Sequence, residues 1–90
     1  MLNLQTQKQF EKDLIKAKKR GKDMTKIDNI VIQLINSSPL PAKNREHKLQ
    51  GNFKSFWECH IEPDWLLIYK KTDTELILNY FATLSNAFIS

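Results

Sequence analysis

Ninety residues can build one hydrophobic core but not two, and at 41% hydrophobic and 27% charged the chain has the make-up of a folded globule rather than a disordered tail. With a single cysteine (Cys59) it has no internal disulfide; no apolar run approaches the ~20 residues of a membrane span, and MLNLQTQKQF lacks the layout of a signal peptide, so the expectation is a single domain over residues 1–90 at work in the cytoplasm. Net charge is +4, and twelve of the fourteen basic side chains fall in residues 1–54, densest at Lys16, Lys18, Lys19, Arg20 and Lys22, which suits a polyanion, an acidic protein partner or a solvated helix face.

Leu2 and Leu4 alternate with polar residues, which predicts a short opening strand over residues 1–5, with Thr6 placed to cap the helix that follows. From Gln7 to Lys19 the apolar positions Phe10, Leu14 and Ala17 recur at helical spacing, and Gly21 supplies the stop. A second helix starts near Asp23 or Thr25. It shows one apolar stripe, Ile27, Ile30, Val31, Leu34 and Ile35, and ends at Asn36-Ser37-Ser38-Pro39. Pro39 to Gly51 reads as a long polar loop.

After Gly51 the period changes. Asn52 to His60 is aromatic-rich and predicts a strand, Pro63-Asp64 a tight turn, and Trp65 to Lys71 a second strand. Thr72-Asp73-Thr74 makes another hairpin turn into a third strand, Glu75 to Phe81, and residues 84–89 form a terminal segment packed by Phe88. The order β-α-α-β-β-β with a short C-terminal segment is an α+β layer, two helices on a mostly antiparallel sheet.

The residues with chemistry crowd into His47–Trp65, HKLQGNFKSFWECHIEPDW, which holds both histidines of the chain. Histidine is the side chain whose ordinary titration falls between pH 5 and 8. His60 and Asp64 lie at the two ends of the turn, so their side chains are expected to converge, with His47 approaching from the preceding loop. Such a set suits cleavage of an RNA backbone: a base takes the 2′-hydroxyl proton, an acid protonates the departing 5′-oxygen, and a cation or donor steadies the phosphate. Two histidines in a small protein are equally at home as hydrogen-bonded surface or core residues, and spacing alone leaves both readings open. The spacing of His47, Cys59, His60 and Asp64 matches no structural zinc pattern, so neither metal nor cofactor is expected. An aromatic on the outward face of 52–60, flanked by Lys54, is placed to stack on a single-stranded base.

The combination H-x-L-x-G at His47–Gly51 and H-x-x-P-D-W at His60–Trp65 resembles the signature of YafQ-like toxins, of the RelE superfamily of bacterial type II toxin–antitoxin modules. Lys19–Met24, Pro39–Pro41 and Trp65–Lys70 are also similar. The resemblance implies two helices on a curved antiparallel sheet, and a ribosome-dependent endoribonuclease, an mRNA interferase, that cuts translated mRNA and inhibits translation. It also implies an acidic, DinJ-like antitoxin encoded alongside, with a monomer when free and a hetero-oligomer when neutralised. By position, His47, His60 and Asp64 match the proton-transfer residues, Trp65 a neighbouring aromatic and Phe88 a C-terminal aromatic near the site. Tyr80 and Leu84 stand where an arginine and a histidine are expected. Tyr80 as a donor, or a cation from Lys48, Lys54 or Lys70, would then serve the phosphate, and Lys18, Lys19 and Arg20 would bind RNA backbone. A second reading is a binding module that keeps the fold and the antitoxin interface with little chemistry.

Overall fold

The computed structural model describes residues 1–83; the expected terminal segment, with Leu84 and Phe88, lies outside them. The elements are β1 (Asn3–Thr6), α1 (Lys8–Lys19), α2 (Met24–Ile35), β2 (His47–Lys48), β3 (Trp57–Glu62), β4 (Trp65–Lys71) and β5 (Glu75–Ala82). The strands form one sheet in the order β1-β5-β4-β3-β2. Only β1 on β5 is parallel; β2–β3, β3–β4 and β4–β5 are antiparallel. This is the expected α+β arrangement.

Helix ends follow local chemistry. Thr6 does not cap α1, because it is still paired in β1 opposite Leu78. The cap position falls to Gln7, whose backbone N–H donates to Leu78 O at 3.0 Å, and the Thr6 hydroxyl donates to Glu11 at 2.7 Å instead. α1 closes as expected at Gly21, which has φ +79°: Gly21 N–H donates to Lys18 O and Lys22 N–H to Ala17 O, satisfying carbonyls that the helix leaves open. Asp23 caps α2 by accepting from the Thr25 N–H at 3.0 Å. α2 ends in the same pattern, Ser37 taking the left-handed position with φ 56°.

The stretch Pro39–Gly51 is not a structureless loop. It contains a 3-10 turn at Ala42–Asn44 and the edge strand β2, because its polar side chains bond inward. Asn44 is buried and its Nδ2 donates to His60 O at 2.7 Å. The carboxylate of Glu46 accepts from the Tyr69 hydroxyl and, at 3.0 Å, from Lys71 Nζ. The strand expected from Asn52 begins only at Trp57: Gly51, at φ +67°, opens a second 3-10 turn, Gly51–Phe53, which spends those residues on reversing the chain.

One face of the sheet packs on the helices. Phe10 and Ala17 of α1 and Ile27, Ile30 and Leu34 of α2 meet Cys59, Ile61, Trp65, Leu67, Tyr69, Leu76 and Leu78, with Trp57 and Phe81 against them. Alternation sends the other residues of β3 and β4 (Glu58, His60, Leu66, Ile68 and Lys70) to the opposite face. β4 is buried on both faces over its first five residues, which explains its unbroken apolar run WLLIY.

Candidate active site

Cross-strand register assembles the site on the face away from the helices. His47 pairs with Glu58, Glu58 with Ile68, and Ile68 with Tyr80, a single row across β2, β3, β4 and β5. His60 lies two residues along β3 from Glu58, opposite Leu66. Tyr80 reaches this row through an irregularity: the β4–β5 register shifts between Ile68 and Tyr69, so Asn79 is the extra residue in β5. Such bulges re-aim a side chain.

The centre of the row is Glu58, which is 7% exposed. His47 Nε2 is 3.2 Å from its Oε1, and His60 Nε2 is 4.0 Å from the same oxygen. The other nitrogen of each ring is held by the backbone: His47 Nδ1 lies 2.9 Å from Arg45 O, and His60 Nδ1 3.2 Å from Pro63 O. A carbonyl oxygen only accepts, so both Nδ1 atoms carry the hydrogen. A neutral ring would then turn the lone pair of Nε2 towards the carboxylate. A hydrogen bond in the His47–Glu58 link therefore requires a further proton, on the imidazole or on the acid. The cluster thus sets two imidazoles around one buried carboxylate.

Tyr80 completes the row, with its pKa raised by burial and, second, by the negative charge of Glu58. Its hydroxyl stays a donor at neutral pH. Asp64 is exposed in the turn between β3 and β4. The close partners of the His60 ring are Pro63 O and Glu58, so the turn supports His60 through its backbone as well as through any contribution of Asp64.

The other expected residues separate into groups. Trp65 was expected beside the site; it is a core residue, 4% exposed, edge-on to Phe81 at 5.4 Å and beneath Lys22 on the helix side. Lys18, Lys19 and Arg20 are exposed at the end of α1, in the helix layer rather than on the face of His47 and His60. Lys48 pairs with Trp57 and so turns to the helix side, lining a groove with Trp57 and Lys71. Lys54 is exposed just after the second 3-10 turn. Lys70 shares the site face, its Nζ 4.6 Å from the centroid of the Phe56 ring. Phe88 lies outside the described residues. Among the described residues no group of three or more His, Cys, Asp and Glu side chains is arranged to hold a metal ion, and Cys59 faces the helices, opposite His60.

Sequence reasoning missed Glu58. The signal was available in the i, i+2 spacing of Glu58 and His60 on a strand, which puts both on one face.

The chain matches, over residues 2–88, the family described as "Bacterial toxin of type II toxin-antitoxin system, YafQ". It belongs to the YafQ toxin family. It is 50% identical over 66 residues to the mRNA interferase toxin YafQ of Escherichia coli strain K12, an alignment covering 72% of each chain. The crystal structure of YafQ from Escherichia coli strain BL21(DE3) superimposes with a TM-score of 0.89 at 40% identity, covering 100% of both chains. YafQ in the Escherichia coli DinJ–YafQ toxin–antitoxin complex gives a TM-score of 0.87 at 40% identity, covering 99% of this chain and 98% of that one. Among the described residues no helix is long and apolar enough to cross a membrane.

Proposed function

We propose that this YafQ-family chain is an endoribonuclease that cuts messenger RNA at the ribosome, and that His47, Glu58 and His60 carry the proton transfers. The observation behind this reading is the convergence of two imidazoles on one buried carboxylate oxygen, on the sheet face opposite the helices. In the cleavage step the 2′-oxygen forms a bond to the neighbouring phosphorus and the bond to the 5′-oxygen breaks. The His47–Glu58 pair takes the 2′-hydroxyl proton, and His60 delivers a proton to the departing 5′-oxygen. Asp64, exposed in the adjoining turn, joins them in the proton transfers. The Tyr80 hydroxyl donates to a phosphate oxygen where the charge builds up. Each well-placed acid or base is typically worth about 10²–10⁴ in rate.

The toxin's partner in this reading is an acidic antitoxin, as DinJ is the partner of YafQ in the Escherichia coli complex. A groove of about 600 Å³ between α2, the Ala42–Asn44 turn and the end of β3 carries Lys43 and Arg45 on its walls, with Lys26 paired to Glu62 at 2.9 Å, and its Lys43–Arg45 end suits an acidic segment. The free toxin is a cytoplasmic monomer, and Lys18, Lys19, Arg20, Lys48, Lys54, Lys70 and Phe88 contribute to RNA contacts.

The test is an in vitro translation reaction with cleavage of the message mapped by primer extension. Wild type should cut, and His60→Ala should cut about two orders of magnitude less while still binding ribosomes. Equal cleavage by the two proteins removes the catalytic assignment.

A further inference from the structure

Beside the row His47–Glu58–Ile68–Tyr80 lies a second row that the proton chemistry leaves unused. Trp57 pairs with Tyr69, so continuing the ladder by one residue sets Phe56 opposite Lys70, both on the site face. The two side chains meet there: Lys70 Nζ is 4.6 Å from the centre of the Phe56 ring, and Phe53 lies near it, tilted by 58° with ring centroids 6.2 Å apart. Phe56 and Lys70 are each only partly buried. Among the described residues no carboxylate pairs with Lys70, whereas its neighbour Lys71 is bound to Glu46. A partly exposed aromatic and an unneutralised cation are the two parts of a single-stranded nucleic-acid contact, a stacking face and a phosphate partner.

We infer that Phe56 and Lys70 form a nucleotide subsite next to the cleavage centre, Phe56 stacking on a base of single-stranded RNA and Lys70 holding the phosphate beside it. The subsite rests on the nuclease reading for its substrate class and adds a residue pair to it. Two residues along a strand span roughly 6.6 Å, about one step of an extended ribonucleotide chain. An RNA strand running along β3 and β4 thus places one phosphate by Glu58 and His60 and the next by Lys70. Resting on the ring, the Lys70 ammonium is oriented and partly stripped of water before substrate arrives, so less ordering remains to be done on binding. It also restores a positive charge to a site in which Tyr80 is the residue of the row on β5.

The probe is a short 2′-O-methyl oligoribonucleotide, which lacks the attacking hydroxyl and stays intact. Its affinity for the free toxin is measured across a salt series, in parallel with the translation assay. Lys70→Met keeps the side-chain stem on Phe56 and removes the charge; it should bind about tenfold more weakly and lower the salt slope by roughly 0.7, the value for one phosphate contact on a single strand. Lys70→Arg should restore both the affinity and the slope. Phe56→Leu should weaken binding by about tenfold or more with the slope unchanged, since stacking carries no counterion release. An unchanged slope in Lys70→Met, or no binding by wild type, overturns the subsite. A slope difference in a wild type that does not cut message keeps the subsite and removes the nuclease reading, and cutting with an unchanged slope does the reverse.

Discussion

Leu78 and Tyr80, two residues apart on β5, project to opposite faces of the sheet. A regular strand would place them on the same face. The extra residue Asn79 between them leaves Leu78 in the helix-side core and turns Tyr80 to the row of Glu58 and His47. Among the described residues the buried Asn79 Oδ1 has no hydrogen-bond partner, an unfavourable feature carried at the point that aims Tyr80.

In the proposed cleavage step this position meets the charge on the phosphate. Tyr80→Arg places a permanent planar cation in the row, next to Glu58, and should raise cleavage of ribosome-bound message by about tenfold or more over wild type. Tyr80→Phe should lower it. Because burial, and then the charge of Glu58, raise the Tyr80 pKa, its hydroxyl stays protonated as pH rises through neutrality, so the pH–rate profiles of wild type and Tyr80→Phe should be parallel from pH 6 to about 9. Primer-extension rates across that range check both statements.

Glu46 joins the chain just before His47 to the core of β4. Tyr69→Phe leaves the partly buried Glu46 carboxylate with Lys71 and without the tyrosine hydroxyl, and should cost about 1–2 kcal/mol in urea unfolding. Glu46→Ala strips the partner from both Tyr69 and Lys71 and should cost more. It should also lower cleavage, because β2 and His47 lose their anchor. Stability and cleavage measured on the same preparations distinguish this from a purely local defect.

Alkaline stability follows from the same cluster. Burial first, and then the charge of Glu46, pushes the Cys59 thiol from its ordinary 9.0 up to about 12. Burial is also the main cause of a strongly raised Tyr69 pKa. The folded chain thus keeps protons that the unfolded chain releases, so the stabilisation is complete below about pH 9 and is lost as pH rises towards 12. By about pH 10.5 the thiol alone removes about 2 kcal/mol. Urea midpoints should fall between pH 8 and 10.5, and Cys59→Ala should flatten the first part of that fall.

The α1 patch is separate from the cleavage face, and its loss should act on association rather than on chemistry. Replacing Lys18, Lys19 and Arg20 with alanine should weaken ribosome binding and reduce its salt slope by roughly 0.7–0.9 per lost phosphate contact, leaving single-turnover cleavage of bound message unchanged. An unchanged slope reassigns the patch to solvent or to the antitoxin.

Both helices, β4 and the two hairpin turns were legible in the sequence because each is set by short-range chemistry: apolar spacing, Gly21 and Asp23 at helix ends, Pro63-Asp64 and Thr72-Asp73-Thr74 at turns. The edge strand β2 was not, since two residues carry no periodicity and the partners that make them a strand, Glu58 and Trp57, lie across the second 3-10 turn. The site was half legible. His47 and His60 stood out by residue type and by their family resemblance. Glu58 was hidden by the habit of reading carboxylates on strands as solvent-facing, and the orientation of Tyr80 depends on a bulge that alternation cannot reveal. Trp65 was expected beside the site by its position in the family signature; one step along the chain from the exposed Asp64, at the start of β4, takes the side chain into the core.

The pairing of β1 with β5 has a consequence for synthesis. Asn3 finds its partner Glu75 only near the end of the described chain, and Phe10 of α1 packs beside Phe81 of β5. While a ribosome is still holding residues 75–82 in its exit tunnel, α1 lacks the strand it packs on, β4 has only β3 beside it, and Tyr80 has not joined Glu58. Vectorial translation therefore keeps the sheet and its helix layer incomplete until the fifth strand emerges.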